Sequence, residues 1–223
     1  MNVTDAVLSR RSVRAFLDTP VPLETLRRIV ETASHAPSNS NMQPWLVRVV
    51  TGNTLAKLKS RTLERSTVPP QFDHPTQYPV YPEELKEPYL SRRGMCAERQ
   101  YSAVGLPRED REGRLRYVYG NMQCFGAPAA MFTFIETGMG PSQWADLGCF
   151  LQTVMLLLRE DGLDSCAQIS WCNFASTVCD VLEVPANWML YCGLSIGHAD
   201  PDAPVNAVVA DRAPLDEFAR FFT

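Results

Sequence analysis

Phe125-Gly126-Ala127-Pro128-Ala129-Ala130-Met131-Phe132-Thr133-Phe134-Ile135 is the stretch that decides how this chain is built. From Ala129 to Ile135 it is almost continuously apolar. A strand apolar on both faces belongs in the middle of a sheet with cover above and below. Downstream, Trp144, Leu147, Phe150, Leu151, Val154, Met155 and Leu158 recur at helical spacing, and Gly148, Cys149, Leu156 and Leu157 leave little polar face. A helix apolar almost all round must be buried, in this chain or in an interface between two copies. Gly162 suits its C-cap. A further helix is expected over about 174–183, and Met189 to Ile196 reads as a second central strand. Upstream, Trp45-Leu46-Val47-Arg48-Val49-Val50-Thr51 reads as a strand ended by Gly52-Asn53, and residues 54–65 read as helical. Leu23, Leu26, Ile29, Val30 and Ala33 predict a helix opened by Pro22 at its first position and ending near Ala36-Pro37. Residues 4–11 predict a short helix, N-capped by Thr4 or Asp5, with Val7 and Leu8 facing inward.

The remaining segments are less regular. From Ser66 to about Arg116 periodicity fails; Pro69, Pro70, Pro75, Pro79, Pro82, Pro88 and Pro107 are interspersed with Tyr78, Tyr81, Tyr89 and Tyr101. A long irregular insertion is usually functional or mobile, and the region at about 66–118 reads as a partly helical lid or as a plain excursion. The tail ends in Phe218, Phe221 and Phe222, aromatics that gain roughly 1.5–3 kcal/mol each on burial. The terminus is therefore expected to pack against its own chain or a partner.

Composition narrows the function. The 223 residues are 45% hydrophobic and 21% charged, an ordinary globular balance at a length that suits one domain. A net charge of −4 argues against a nucleic-acid or anionic-membrane surface. No apolar run is long enough to span a membrane. The seven cysteines are odd in number and form no Cys-x-x-Cys, and no signal-peptide pattern opens the chain. This points to reduced thiols and a cytoplasmic location.

Two polar stretches stand out. In Ser9-Arg10-Arg11-Ser12-Val13-Arg14-Ala15-Phe16, three arginines and two serines lie close together. Guanidinium forks pair two phosphate oxygens at once, although such a cluster also serves as a solvated face or as charge set against a helix C-terminus. In Ala36-Pro37-Ser38-Asn39-Ser40-Asn41-Met42-Gln43-Pro44-Trp45, two prolines bracket a run of short hydrogen-bonding side chains. This loop is either a connection or a grip on a polar ligand.

Taken with Gly162-Leu163-Asp164-Ser165-Cys166-Ala167-Gln168 and Asp211-Arg212-Ala213-Pro214-Leu215, and in this order, these pieces resemble the FMN-dependent nitroreductase family over essentially the whole chain. The Pro-rich insertion and Trp144-Ala145-Asp146-Leu147-Gly148 look like its nitrobenzoate-reductase-like branch. The resemblance implies an α+β fold with a central mixed, mostly antiparallel sheet flanked by helices, and a homodimer with two FMN sites at its interface. It implies that Arg10, Arg11, Ser12, Arg14 and Arg212 hold the FMN phosphate and ribityl chain. Pro37, Ser38, Asn39 and Asn41 would approach from the other subunit. The Gln168-Ile169-Ser170 backbone would lie along the flavin ring, with Asn121 at its pyrimidine edge. Many relatives carry Gly or Glu near Ile169-Ser170, so pocket shape differs here. The implied activity is ping-pong transfer from NADH or NADPH through FMN to a nitroaromatic or quinone. Within this frame the alternatives are reductive dehalogenation of a halophenol or halotyrosine, and FMN binding without turnover. The sequence shows no side-chain acid, base or nucleophile set, which agrees with chemistry carried by a cofactor.

Other enzyme classes fit poorly. Gly193-Leu194-Ser195-Ile196-Gly197 matches G-x-S-x-G, but Pro201 and Pro204 follow and no acid-then-histidine order exists. No G-x-G-x-x-G follows a strand. His35, His74 and His198 have no paired spacing, so no metal site is expected.

Overall fold

The computed structural model describes residues 1–69, 71–73 and 76–223; the expectations placed on Pro70, His74 and Pro75 lie outside the described residues. The chain order is α1 (Val3–Ser9), α2 (Leu23–Ala33), β1 (Trp45–Thr51), α3 (Gly52–Ser66), α4 (Tyr89–Ala103), α5 (Arg111–Tyr119), β2 (Ala129–Glu136), α6 (Pro141–Glu160), β3 (Asp164–Gln168), α7 (Ala175–Val181), β4 (Trp188–Gly197) and a short α8 (Leu215–Phe218). Among the described residues the strands form one sheet in the order β1-β2-β4-β3, every pair antiparallel. The expected mixed character is limited to an isolated parallel bridge between Ser12 and Ser165.

The apolar stretch Ala129–Ile135 occupies a central position, and so does β4. Strand alternation sends neighbouring side chains of β2 to opposite faces. Ala130, Phe132 and Phe134 join Leu55, Leu58, Trp171, Phe174 and Val178 on one face. Ala129 and Met131 join Leu26, Ile29, Phe150, Val154 and Leu158 on the other. So α3 and α7 cover one side and α2 and α6 the other. Trp45 stacks on Phe150 with ring centroids 4.9 Å apart.

Several local expectations need correction. α1 is capped by Asn2, whose Oδ1 accepts from Asp5 N–H at 2.9 Å, two to three residues ahead of the expected Thr4 or Asp5. Val7 and Leu8 face outward, because α1 lies on α6 and only Ala6 turns under. Pro22 sits just before the first turn of α2 rather than in it, and the helix stops at Ala33. The insertion is partly helical, as expected, with α4 and α5 in its second half; none of the residues of α4 is buried, so the sequence has no strong apolar stripe that would set its bounds. β3 was not anticipated as a strand, since Asp164-Ser165-Cys166-Ala167-Gln168 has neither alternation nor β-branched residues.

α6 extends over Pro141–Glu160, yet only one face is covered; Ala145 and Cys149 remain exposed. Phe218, Phe221 and Phe222 are also exposed, the last at 91%, so these aromatics do not bury against their own chain as one expectation allowed. Val3, Val7 and Leu8 of α1 are exposed as well. Among the described residues no helix is long and apolar enough to cross a membrane.

Candidate functional site

The basic stretch follows α1 and runs alongside β3. Val13 N–H donates to Ser165 O at 3.0 Å and Phe16 N–H to Phe125 O at 3.1 Å. Arg14 N–H donates to Asn206 Oδ1 at 2.8 Å, and Asn206 Nδ2 returns to Ala15 O at 2.8 Å. The backbone from Ser12 to Phe16 is thus held on both sides, and its side chains are aimed by a rigid support.

Arg10 and Arg212, separated by almost the whole chain, lie near enough for their charges to act on each other. The Arg10 guanidinium is pushed below its ordinary value first by burial and then by the nearby charge of Arg212. Arg14 lies on the same patch: burial raises the Cys166 thiol to about 11, and Arg14 and Arg10 oppose that shift. Burial likewise raises the Tyr117 hydroxyl to about 12, against Arg14. Arg14 Nη1 donates to Ser12 O at 3.1 Å, and Arg212 Nη1 donates to Ala210 O and Asp211 O at 2.8 and 3.0 Å. Among the described residues none of Arg10, Arg11, Arg14 or Arg212 forms an ion pair with a carboxylate. Like charges gathered without a counter-charge are unfavourable, and an anion is what would relieve them. The donor set fits a dianionic phosphate. Arg11 and Ser12 are exposed beside this patch.

The second part of the site is a buried hub at the end of β3. The Gln168 side chain uses all of its hydrogen-bonding capacity inside the protein. Its Nε2 donates to Asn121 O at 2.8 Å and Asn121 Oδ1 at 3.3 Å. Its Oε1 accepts from Trp171 Nε1 at 3.4 Å and from the Ser195 hydroxyl. Asn121 Nδ2 donates to Val118 O at 2.8 Å. So Gln168 and Asn121 meet, and Gln168 offers only backbone to a ligand. Ile169 and Ser170 follow, half-buried, as the chain turns into a 3-10 helix over Ile169–Phe174. Trp171 lies flat against Gly193, where an added Cβ would stand 2.5 Å from Trp171 Cδ1. Ser195 is wholly buried in mid-strand, so the G-x-S-x-G match has no nucleophile elbow.

The third part is the Pro-bracketed loop. Ser40, Asn41 and Gln43 adopt left-handed backbone with φ of 51°, 57° and 49°. Gln43 N–H donates to Ser38 Oγ at 3.0 Å. Asn39 N–H donates to Asp146 Oδ1 at 3.1 Å, which fastens the loop to the first turns of α6. The other oxygen, Asp146 Oδ2, is buried without a partner. Pro37, Asn39 and Asn41 are exposed. The basic patch sits at the other end of α6, where Arg159 Nε donates to Ser9 Oγ at 3.4 Å. Residues 146 and 159 of one helix are about 20 Å apart at 1.5 Å per residue. One chain alone therefore does not bring Pro37, Ser38, Asn39 and Asn41 to Arg10, Arg14 and Arg212.

The sequence profile of the nitroreductase family matches residues 7–198, most of the chain. The chain belongs to the nitroreductase family. It is 37% identical to the 4-nitrobenzoate reductase of Pseudomonas putida, over 97% of this chain and 94% of that protein. The FMN and NADPH-dependent nitroreductase NfnB from Sphigopyxis sp. strain HMH superposes with a TM-score of 0.96 at 41% identity, covering all of both chains. The FMN-dependent nitroreductase NfnB from Mycobacterium smegmatis, solved in complex with NADPH, superposes with a TM-score of 0.93 at 33% identity, covering 99% and 97%. The nitroreductase fold expected from the four motifs is thus present.

Reading the sequence of this nitroreductase missed three supporting residues. Asp146 was legible as a carboxylate inside an apolar helical stripe, where it needs a partner. Asn206, which braces Arg14, and Trp171, which closes over Gly193, carry no local signal, because their partners are distant in sequence. Among the described residues no group of three or more His, Cys, Asp or Glu side chains is placed to hold a metal ion.

Proposed function

We propose that this protein is an FMN-dependent oxidoreductase, acting as a homodimer, that passes electrons from NADPH or NADH to a nitroaromatic or quinone. The observation that carries the reading is that Arg10 and Arg212 lie within electrostatic reach of each other and that, among the described residues, neither is ion-paired to a carboxylate. Arg10, Arg14 and Arg212, with Arg11 and Ser12 alongside, hold the phosphate and ribityl chain. Pro37, Ser38, Asn39 and Asn41 of a second copy close the site, because the span of α6 separates them from their own chain's arginines. The backbone of Gln168, Ile169 and Ser170 supports the ring, and Asn121 sits at its polar edge. When bound, FMN supplies ping-pong two-electron hydride transfer from the nicotinamide to the acceptor. The residues of this chain bind and orient it; none acts as nucleophile or metal ligand. The names of the relatives, 4-nitrobenzoate reductase among them, support a nitroaromatic acceptor and NADPH as donor. We assign 1–223 to one nitroreductase unit in which the insertion at about 66–118 is the lid. The open faces of α1, α6 and the tail support the dimer, and seven free cysteines suit the cytoplasm.

Purified protein should be yellow and release FMN, not FAD. Arg14→Ala with Arg212→Ala should strip most of it, since each change leaves phosphate charge uncompensated. Wild-type FMN affinity in that double variant would overturn the assignment. Steady-state turnover of both nicotinamides against a nitrobenzoate, a nitrophenol, a quinone and a halotyrosine tests the acceptor class.

A further inference from the structure

The segment that carries Arg212 is fastened to α4. Arg99 Nη2 donates to the Asp211 carboxylate, and Arg99 Nη1 donates to Val209 O at 3.4 Å. Two turns earlier on the same face of α4, Arg92 Nη2 meets Glu217 Oε2 at 2.5 Å. Between helix and segment lies a cavity of about 380 Å³, lined by Met95, Cys96, Val208 and Pro214 among others. Arg212 Nη1 donates to Ala210 O and Asp211 O, carbonyls of the same short segment whose Val209 O and Asp211 carboxylate Arg99 holds.

Asp211 is the puzzle in this arrangement. It places a negative charge next in sequence to an arginine that would hold a phosphate. Paired with Arg99 that charge is neutralised. Unpaired, it would repel a dianion and offer Arg212 a competing carboxylate. The Arg99 and Asp211 side chains are 45% and 68% exposed, so the pair contributes little to the stability of the fold. What it can change is the charge seen at the phosphate site.

We propose that Arg99 is a positioning residue for phosphate binding: by neutralising Asp211 it keeps that carboxylate from engaging Arg212 and from repelling the phosphate, so that the Arg212 guanidinium stays free for the anion. The proposal rests on Arg212 being a phosphate ligand. It is tested by FMN retained by the full-length holoenzyme on dilution, at low and high salt, with thermal melting as the folding control. Arg212→Ala should weaken FMN binding by about 10-fold or more. Arg99→Gln should weaken it by about 5-fold at low salt, and by less at high salt, where screening removes the Asp211 charge. Asp211→Asn alone should bind FMN at least as well as wild type. Arg99→Gln with Asp211→Asn should recover to within about twofold of wild type, because the unpaired charge is gone. Failure of the double variant to recover would make Arg99 a mechanical clamp and overturn the proposal. Wild-type retention in Arg99→Gln, with Arg212→Ala weakened, would overturn it while leaving the phosphate assignment standing. Wild-type retention in Arg212→Ala would overturn the phosphate assignment itself.

Discussion

Replacing Gln168 by Met keeps the volume of the side chain and removes all of its hydrogen bonds. In the structure this removes the acceptor of the Ser195 hydroxyl and of the Trp171 indole N–H, both wholly buried, leaves Ser195 only the Cys124 thiol, and frees Asn121 O and Oδ1 at a half-buried position. A buried unsatisfied donor costs about 1–3 kcal/mol, while the half-buried Asn121 acceptors can be hydrated. Two fully buried donors deprived of this acceptor, offset slightly by the apolar gain of Met, give a loss of about 3 kcal/mol. For a chain of this length that corresponds to a drop in Tm of about 6–12 °C. The assay is thermal unfolding of flavin-free and flavin-loaded protein at one fixed concentration, since ligand and partner both shift the midpoint. FMN affinity should fall as well, because the same hydrogen bonds hold the corner where β3 turns into Ile169 and Ser170. A Tm within about 2 °C of wild type together with unchanged FMN affinity would refute the reasoning, since a side chain that ties three segments cannot be lost that cheaply.

Gly193→Ala should destabilise by about 1–3 kcal/mol through overpacking against Trp171, with a change in near-UV circular dichroism; a variant as stable as wild type would mean that the indole can move aside. Asp146→Ala should loosen the Ser38–Asn41 loop and lower FMN affinity with little change in Tm, measured by flavin retention and melting; unchanged retention would show the loop held by other contacts. Cys149, exposed on a single chain, should be protected from alkylation if the proposed dimer forms over α6, while Cys124, Cys166, Cys172 and Cys192 stay unreactive, their thiols raised to about 11 or 12 by burial. Mass spectrometry showing Cys149 labelled at the rate of a free thiol would move the interface away from α6. The Arg114 guanidinium, assisted by Arg108, holds the Glu98 carboxyl down from 4.5 to about 2. A lowered carboxyl favours the folded state above its unfolded value, and that contribution fades as pH falls from 4.5 towards 2. Glu98→Gln should therefore melt lower than wild type at neutral pH and converge with it near pH 2; a difference that persists there would point to packing instead.

Much of this was readable from residue order. The central place of β2 follows from Ala129–Ile135 alone, because a strand with no polar face has to be covered twice. The helices α2, α3 and α6 followed from apolar spacing, and the arginines of the basic stretch are chemically suited to phosphate wherever they lie. The elements that escaped are those whose stability is not local. β3 has a polar sequence and is a strand because β4 supplies the partner edge. α4 has no buried residue, so no apolar stripe marks it in the sequence, and its Arg92 and Arg99 pair with Glu217 and Asp211 of a distant segment. Gln168 carried a site assignment from its motif, and only the structure shows that its side chain is spent on Asn121, Trp171 and Ser195.

The amino-acid order by itself determined which segments must be covered and which residues have the chemistry for an anion, since apolar periodicity and side-chain type are local properties. Tertiary structure alone decided that Asn206 braces Arg14, that Ser195 is an internal donor rather than a nucleophile, and that the Ser38–Asn41 loop and Ser9 of the basic stretch sit at opposite ends of α6. Those are distances between residues far apart in sequence, and only the packed sheet and its covering helices set them.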